Sequence, residues 1–165
     1  MLQMNKQGYF PYTPPMTLLR GLRASIDMMN AEGLDNVFKR HTRLASGVRA
    51  AVTAWGLKNC AVDRKWHSDT VTAIRVPENI DANDIIKTAY YSYGVSLGAG
   101  LGPLNGNVFR IGHLGWLNET MVLQALGGVE MAMRDVGVKF LPGCGVGAAI
   151  EKYTDTKAPM ELAAE

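Results

Sequence analysis

Residues 69–94, DTVTAIRVPENIDANDIIKTAYYSYG, decide the fold class. The first third alternates, Val71 and Ala73 against Thr72 and Ile74, and is rich in β-branched side chains. That is the pattern of a half-buried strand, and Pro77 ends it. The period then changes from two to about 3.6. Asp81 stands where a carboxylate can accept the free amides of a helix start, Ile85, Ala89 and Tyr93 form one stripe, and Gly94 supplies the stop. A strand passing at once into an amphipathic helix predicts a sheet covered by helices.

Working outward toward the N-terminus, GLKNCAV (56–62) reads as a second strand, joined to the first by the polar turn DRKWHS (63–68). Two helices precede it. Leu18, Leu22, Ile26 and Met29 mark one, EGLDN (32–36) interrupts at Gly33, and the next runs from about Asp35 to Trp55 with Leu44, Val48, Val52 and Trp55 on one face. Gly56 terminates it.

Toward the C-terminus, VSLGAG (95–100) is a short strand leading into the glycine-rich GAGLGPLNGN (98–107). NVFRIGHLG (107–115) is the fourth strand, and Asn118 caps a long helix with Val122, Leu126, Val129 and Met133 buried, closed at Gly137. Helix, helix, strand, strand, helix, strand, strand, helix predicts an α+β two-layer domain. GYFPYTPP, with three prolines and three aromatics, makes residues 1–15 an extended, stiff segment. The domain proper spans 16–147. The Gly-, Pro- and Ala-rich end places a flexible tail over 148–165.

The 165 residues are most simply one domain, 47% hydrophobic and 19% charged with a net charge of +2. The basic residues are scattered, so nothing points to nucleic acid. No apolar run approaches the roughly 18 residues of a membrane span, and the start lacks the layout of a signal peptide, so no membrane is implied and a cytoplasmic location is expected. Cys60 and Cys144 have no CxxC partner and read as reduced thiols, Cys144 simply suiting the glycine-rich PGCGVG. No metal site is expected, since His41, His67 and His113, on a helix, in a turn and after a strand, match no ligand spacing; His113 follows Arg110 closely enough to lie near a site, but a packed or hydrogen-bonded histidine is the better reading of it.

Gly98, Gly100 and Gly102 invite a phosphate-loop reading, but they run into Pro103 and Asn105-Gly106, turn chemistry that connects two strands rather than opening a helix. Tyr90, Tyr91 and Tyr93 are helically spaced, part of them core. Asp63, Asp69 and Asp84 form no evident acid/base pair, and no nucleophile elbow occurs. Arg110 is different. An arginine inside an apolar strand needs an acidic partner, and its planar fork matches a carboxylate. Spacing alone leaves it between a salt bridge to a helix carboxylate and a clamp for a ligand carboxylate.

GYFPYTPP, SLGAGLGPLNGNVFRIGHLGWLNE and the order of elements between them resemble the C-terminal part of class V aminotransferases, the serine–glyoxylate and alanine–glyoxylate group, over residues 4 to about 147. The resemblance implies the small C-terminal domain of a fold type I, pyridoxal-phosphate-dependent transferase, with residues 1–15 as an interface segment. It implies that Arg110 grips the carboxylate of an amino-acid or keto-acid substrate. It implies that Thr13 reaches the cofactor phosphate of the other subunit of a homodimer. Phe10 stands where some members have a phosphate-binding tyrosine, and Tyr12 or Tyr9 is its substitute.

In the family, the lysine forming the Schiff base with pyridoxal phosphate lies upstream of YFPYTPP, and no counterpart of that segment is present. The expected function is therefore part of an enzyme moving an amino group from serine, or from alanine or aspartate, to glyoxylate, with this chain alone inactive and no catalytic residue of its own. The rival is a non-catalytic interaction module or half of a split enzyme that pairs with an N-terminal-half polypeptide. A carboxylate-binding regulatory domain ranks last.

Overall fold

The computed structural model describes residues 2–156, which divide into two compact units, one ending at Phe38 and the other beginning at Lys39. The division falls well after residue 15, where the sequence places the end of the extended segment.

In the first unit, α1 (Leu2–Lys6) is a short helix inside the stretch expected to be extended. LQMNK holds good helix formers and the first proline comes only at Pro11. The chain leaves α1 through Gly8 (φ 76°), and residues 9–15 form no helix or strand, with bends at Pro11 and Tyr12. α2 (Met16–Glu32) follows and ends at Gly33. It buries no residue, and its stripe of Leu18, Leu22, Ile26 and Met29 is exposed. α3 (Leu34–Ala54) begins there and supplies the second unit with its first helix.

The second unit contains β1 (Lys58–Asn59), β2 (Val71–Arg75), α4 (Ala82–Tyr93), β3 (Gly98–Ala99), β4 (Val108–Gly112), α5 (Glu119–Asp135) and α6 (Cys144–Asp155). The sheet order is β1-β2-β4-β3 and every pairing is antiparallel. Ile74 opposite Phe109 and Thr72 opposite Ile111 form the buried face. Leu44, Val48 and Val52 of α3, Trp55 just beyond its end, Ile85 and Ala89 of α4, and Val122, Leu126, Val129 and Met133 of α5 complete the core over it. The result is the α+β two-layer arrangement expected, with the predicted stripes inside. Strand alternation sends Ala73, Arg110 and Gly112 to the sheet's other face.

The local signals act as read. Asp81 accepts the Asn83 amide at 2.8 Å, and Gly94 in the left-handed region (φ 66°) closes α4. Asn118 accepts the Met121 amide at 3.0 Å to open α5. The turn DRKWHS contains a 3-10 turn, Arg64–Trp66, capped by Asp63, which accepts the Lys65 amide.

The C-terminal end departs from expectation. A flexible tail was predicted over 148–165, yet α6 continues to Asp155 and buries Gly145, Ala149 and Tyr153. Its start has no local cap. Glu130 of α5 takes that part: Oε2 accepts the Gly143 amide at 2.6 Å, and Oε1 accepts those of Gly145 and Val146 together with the Trp55 indole N–H at 2.9 Å. A carboxylate at a helix N-terminus also meets the favourable end of the helix dipole. Cys144 is thus the first residue of a helix rather than part of a loop, and its thiol donates to the Ala54 carbonyl at 3.3 Å. Residues 157–165, the rest of the expected tail, lie outside the described residues.

Candidate functional site

Arg110 sits at the middle of β4 with Ala73 of β2 directly opposite on one side and Gly98 of β3 on the other. Two small neighbours leave the long side chain room to lie across the strands. Its Nε donates to the Ala99 carbonyl at 2.9 Å, fixing the guanidinium's root while its two terminal nitrogens stay available. A side chain on Gly98 would crowd it, because a Cβ there would stand 3.1 Å from Nε and 3.3 Å from one terminal nitrogen. Among the described residues no carboxylate pairs with Arg110. The salt-bridge reading that spacing left open therefore has no partner, and a half-buried, pre-set guanidinium fork remains.

Beyond Arg110 the chain leaves β4 through Gly112 and Gly115 (φ 117°), two residues that give the backbone little stiffness of their own. Side chains supply the stiffness. The fully buried His113 ring donates from Nδ1 to the Asp69 carbonyl at 3.0 Å and accepts at Nε2 from the Thr72 hydroxyl at 2.9 Å, while its own amide donates to the Thr70 carbonyl. Burial holds this imidazole below the ordinary histidine pKa, against the opposing pull of the Asp69 carbonyl. Asp69 in turn accepts from the Thr42 hydroxyl at 2.6 Å and pairs with Arg49 at 3.2 Å. Two consecutive residues of α3 then hold both polar groups of Gly115. His41 Nε2 accepts its N–H at 3.1 Å, and Arg40 donates to its carbonyl at 2.7 Å. Arg40 also lies over the Trp116 ring, 5.5 Å from its centroid.

The other sequence candidates disperse. Thr13 and Tyr12 are exposed on the irregular segment of the first unit, as are Tyr9 and Phe10. Gly98 ends up beside Arg110, whereas Gly100 allows the backbone to pass Leu104, whose carbonyl oxygen would meet a Cβ there at 2.1 Å. Neither opens an α-helix. Tyr90 and Tyr91 form an exposed edge-to-face pair, and Tyr93 packs on the core with its hydroxyl donating to Asp135. His67 closes the 3-10 turn. Both cysteines are free. Among the described residues no cluster of His, Cys, Asp and Glu could hold a metal ion, and no helix is long and apolar enough to cross a membrane.

Every described lysine is solvent-exposed. None stands in a closed, desolvated setting of the kind that makes a lysine amine nucleophilic. The residues present thus fit the binding of a carboxylate and do not fit the covalent seat of pyridoxal phosphate. The sequence singles out Arg110 but gives little sign of the contacts that Arg40 and His41 make with Gly115. Their adjacency on α3 and the nearby glycines of the fourth strand were the only signals, and neither announces a contact 74 residues apart in the chain.

No family model matches the chain. It is 62% identical over 154 residues to the serine–glyoxylate aminotransferase of Hyphomicrobium methylovorum, covering 93% of this chain and 38% of that protein. It is 54% identical over 153 residues to the L-aspartate–glyoxylate aminotransferase of Paracoccus denitrificans, again 93% and 38%. Among solved structures, the pyridoxamine–pyruvate aminotransferase of Mesorhizobium loti superposes with a TM-score of 0.84 at 34% identity, covering 90% of this chain and 38% of that one. The chain thus spans less than two fifths of the length of each relative.

Proposed function

Because the chain belongs with the class V aminotransferases, as the counterpart of their C-terminal part, we propose that it forms the carboxylate-binding portion of a pyridoxal-phosphate enzyme that transfers an amino group to glyoxylate. The observation that carries this reading is Arg110: a guanidinium rooted on the Ala99 carbonyl, flanked by Ala73 and Gly98, with no carboxylate partner among the described residues. Its two terminal nitrogens offer the bidentate match that an amino-acid or keto-acid carboxylate requires. The identity of the aspartate–glyoxylate relative falls within the range of the serine–glyoxylate ones, one of which is higher, and serine is the donor we favour.

When bound, pyridoxal phosphate supplies the electron sink for amino transfer. Thr13 and Tyr12 would offer exposed hydroxyls to its phosphate, from one subunit of a homodimer to the other. Arg110 would orient the substrate, which raises the fraction of productive encounters but transfers no proton. With no lysine suited to hold the cofactor among the described residues, the isolated chain is expected to be inert. Mixing the purified chain with pyridoxal phosphate should give no stable imine absorbance band and no serine-dependent turnover. Either signal would overturn the assignment of an incomplete site.

A second reading draws on α2, whose apolar stripe is exposed along its length. The chain would then associate with an N-terminal-half polypeptide, as one part of a split enzyme. Size-exclusion chromatography of the two together, followed by an assay, separates this from an inert independent module.

A further inference from the structure

Arg110 can serve as a clamp only if the end of its strand is held, and past His113 no strand pairing among the described residues holds it. β3 meets β4 at Phe109 and Arg110 only, and the β2 pairing reaches Gly112, with one more backbone bond from the His113 amide to the Thr70 carbonyl. The next three residues carry the fully buried His113 and the strained-for-any-other-residue Gly115. Glycine offers the backbone many alternatives, so the conformation seen there must be set by its contacts.

We propose that His41 is a positioning residue for the Arg110 site: in its neutral, Nδ1-protonated form it accepts the Gly115 amide and, with Arg40 on the Gly115 carbonyl, fixes the segment that ends β4. The inference rests on the reading of Arg110 given above.

The geometry sets the tautomer. An amide N–H donates, so His41 Nε2 must present a lone pair, and the ring proton sits on Nδ1. The ring is buried, so water cannot replace it as the acceptor at low cost. Arg40 could not do the task of His41, since a guanidinium has no acceptor, nor could His41 do that of Arg40 while Nε2 is unprotonated. The two neighbours therefore divide the backbone donor and acceptor of one residue, Gly115, between them. Asp69 and Thr72 hold His113 in the same fashion two residues earlier, which leaves Leu114 as the sole residue between two anchored points. Binding groups must be held to about 0.5 Å by the shell that supports them, and small misplacements far from the chemistry weaken a site by large factors.

The test uses the holoenzyme of which the chain forms part, with glycolate as a carboxylate probe that cannot be aminated, its Kd read by calorimetry. His41→Leu should weaken glycolate about tenfold and raise the KM for glyoxylate alike, leaving kcat within about twofold. His41→Gln, whose amide oxygen can still accept the Gly115 N–H, should restore most of the affinity. Nitrogen-15 NMR of the His41 ring in this chain should show Nδ1 protonated and Nε2 bare. Unchanged glycolate binding in His41→Leu, no rescue by His41→Gln, or a proton on Nε2 would each overturn the proposal.

Arg110→Ala, run alongside, tells the two readings apart. If it abolishes binding while His41→Leu is silent, only the positioning role falls. If Arg110→Ala binds glycolate normally, the carboxylate reading falls and takes the proposal with it. Should His41→Leu fail to fold, hydrogen exchange at the wild-type Gly115 amide decides: strong protection is expected, and exchange at the rate of an open loop overturns the tether.

Discussion

The ring of Tyr153 occupies the space that a side chain on Gly47 would need. A Cβ at Gly47 would lie 2.2 Å from the ring carbon bearing the hydroxyl, and that hydroxyl donates to the Leu44 carbonyl at 2.9 Å. α3 and α6 therefore meet through a missing side chain and a hydrogen bond one helical turn away.

Gly47→Ala is accordingly expected to destabilise the chain by about 1–3 kcal/mol, as overpacking does. Helix propensity alone predicts the opposite, a gain of roughly 1 kcal/mol for alanine over glycine. Urea unfolding followed by circular dichroism distinguishes the signs, and a stabilised variant would refute the packing account.

Glu130→Ala removes the acceptor shared by the Trp55 indole and the amides of Gly143, Gly145 and Val146. With several donors left unpaired in and around a buried site, the loss should be about 3 kcal/mol or more. Glu130→Gln keeps an oxygen but turns an NH2 toward amides that also donate, so it should fall between wild type and alanine. The same unfolding measurement ranks the three.

Arg110→Lys should raise the KM of the complete enzyme for glyoxylate by at least tenfold while the chain's unfolding midpoint stays close to wild type, because a point-like ammonium cannot reproduce the two-pronged match. Gly98→Val tests the same site from the neighbouring strand. The new side chain would push against Nε and a terminal nitrogen of Arg110, and KM should again rise. Equal kinetics in both variants would remove Arg110 from substrate binding.

Acid should weaken the fold through His113. Burial lowers its pKa in the folded state relative to the ordinary value of 6.5, so the unfolded chain binds the proton more readily. The contribution is complete above about pH 6.5 and is lost as the pH falls from there through the folded-state pKa. His41, Asp69 and Arg49 also face this ring, so the comparison must be made within one background. Thermal melts between pH 5 and 8 should show a slope that flattens in His113→Gln; an unchanged slope would assign it elsewhere. At the other extreme, burial raises the Tyr153 pKa above the ordinary 10, so that contribution is present below pH 10 and fades above it.

What was legible in the sequence was what is written locally. Asp81, Gly94 and Asn118 announce their helix ends because each cap lies within three residues of the group it satisfies. The stripes of α3, α4 and α5 are visible because a helix repeats its buried face every turn. Arg110 stood out as a charge among apolar neighbours. The helix from Cys144 did not, since its amides are satisfied from Glu130, at least thirteen residues earlier, and its glycines look like loop. Nothing in the sequence marks Gly47, because its constraint comes from Tyr153, more than a hundred residues away in the chain. His41 is visible in the sequence only as a histidine on a helix that fits no metal spacing, and its partner depends on how α3 lies along the end of β4, which no period in the sequence encodes.

The borrowed cap of α6 also bears on the order in which the molecule comes together. A helix with its own start signal can flicker into existence in the unfolded chain. α6 cannot draw on Glu130 until α5 has formed and brought that carboxylate against the Trp55 indole just past the end of α3. Its formation is thus a report that the rest has assembled, and the first event of unfolding should be its release. A protease that cuts among residues 144–155 would read the integrity of the whole second unit from its far end.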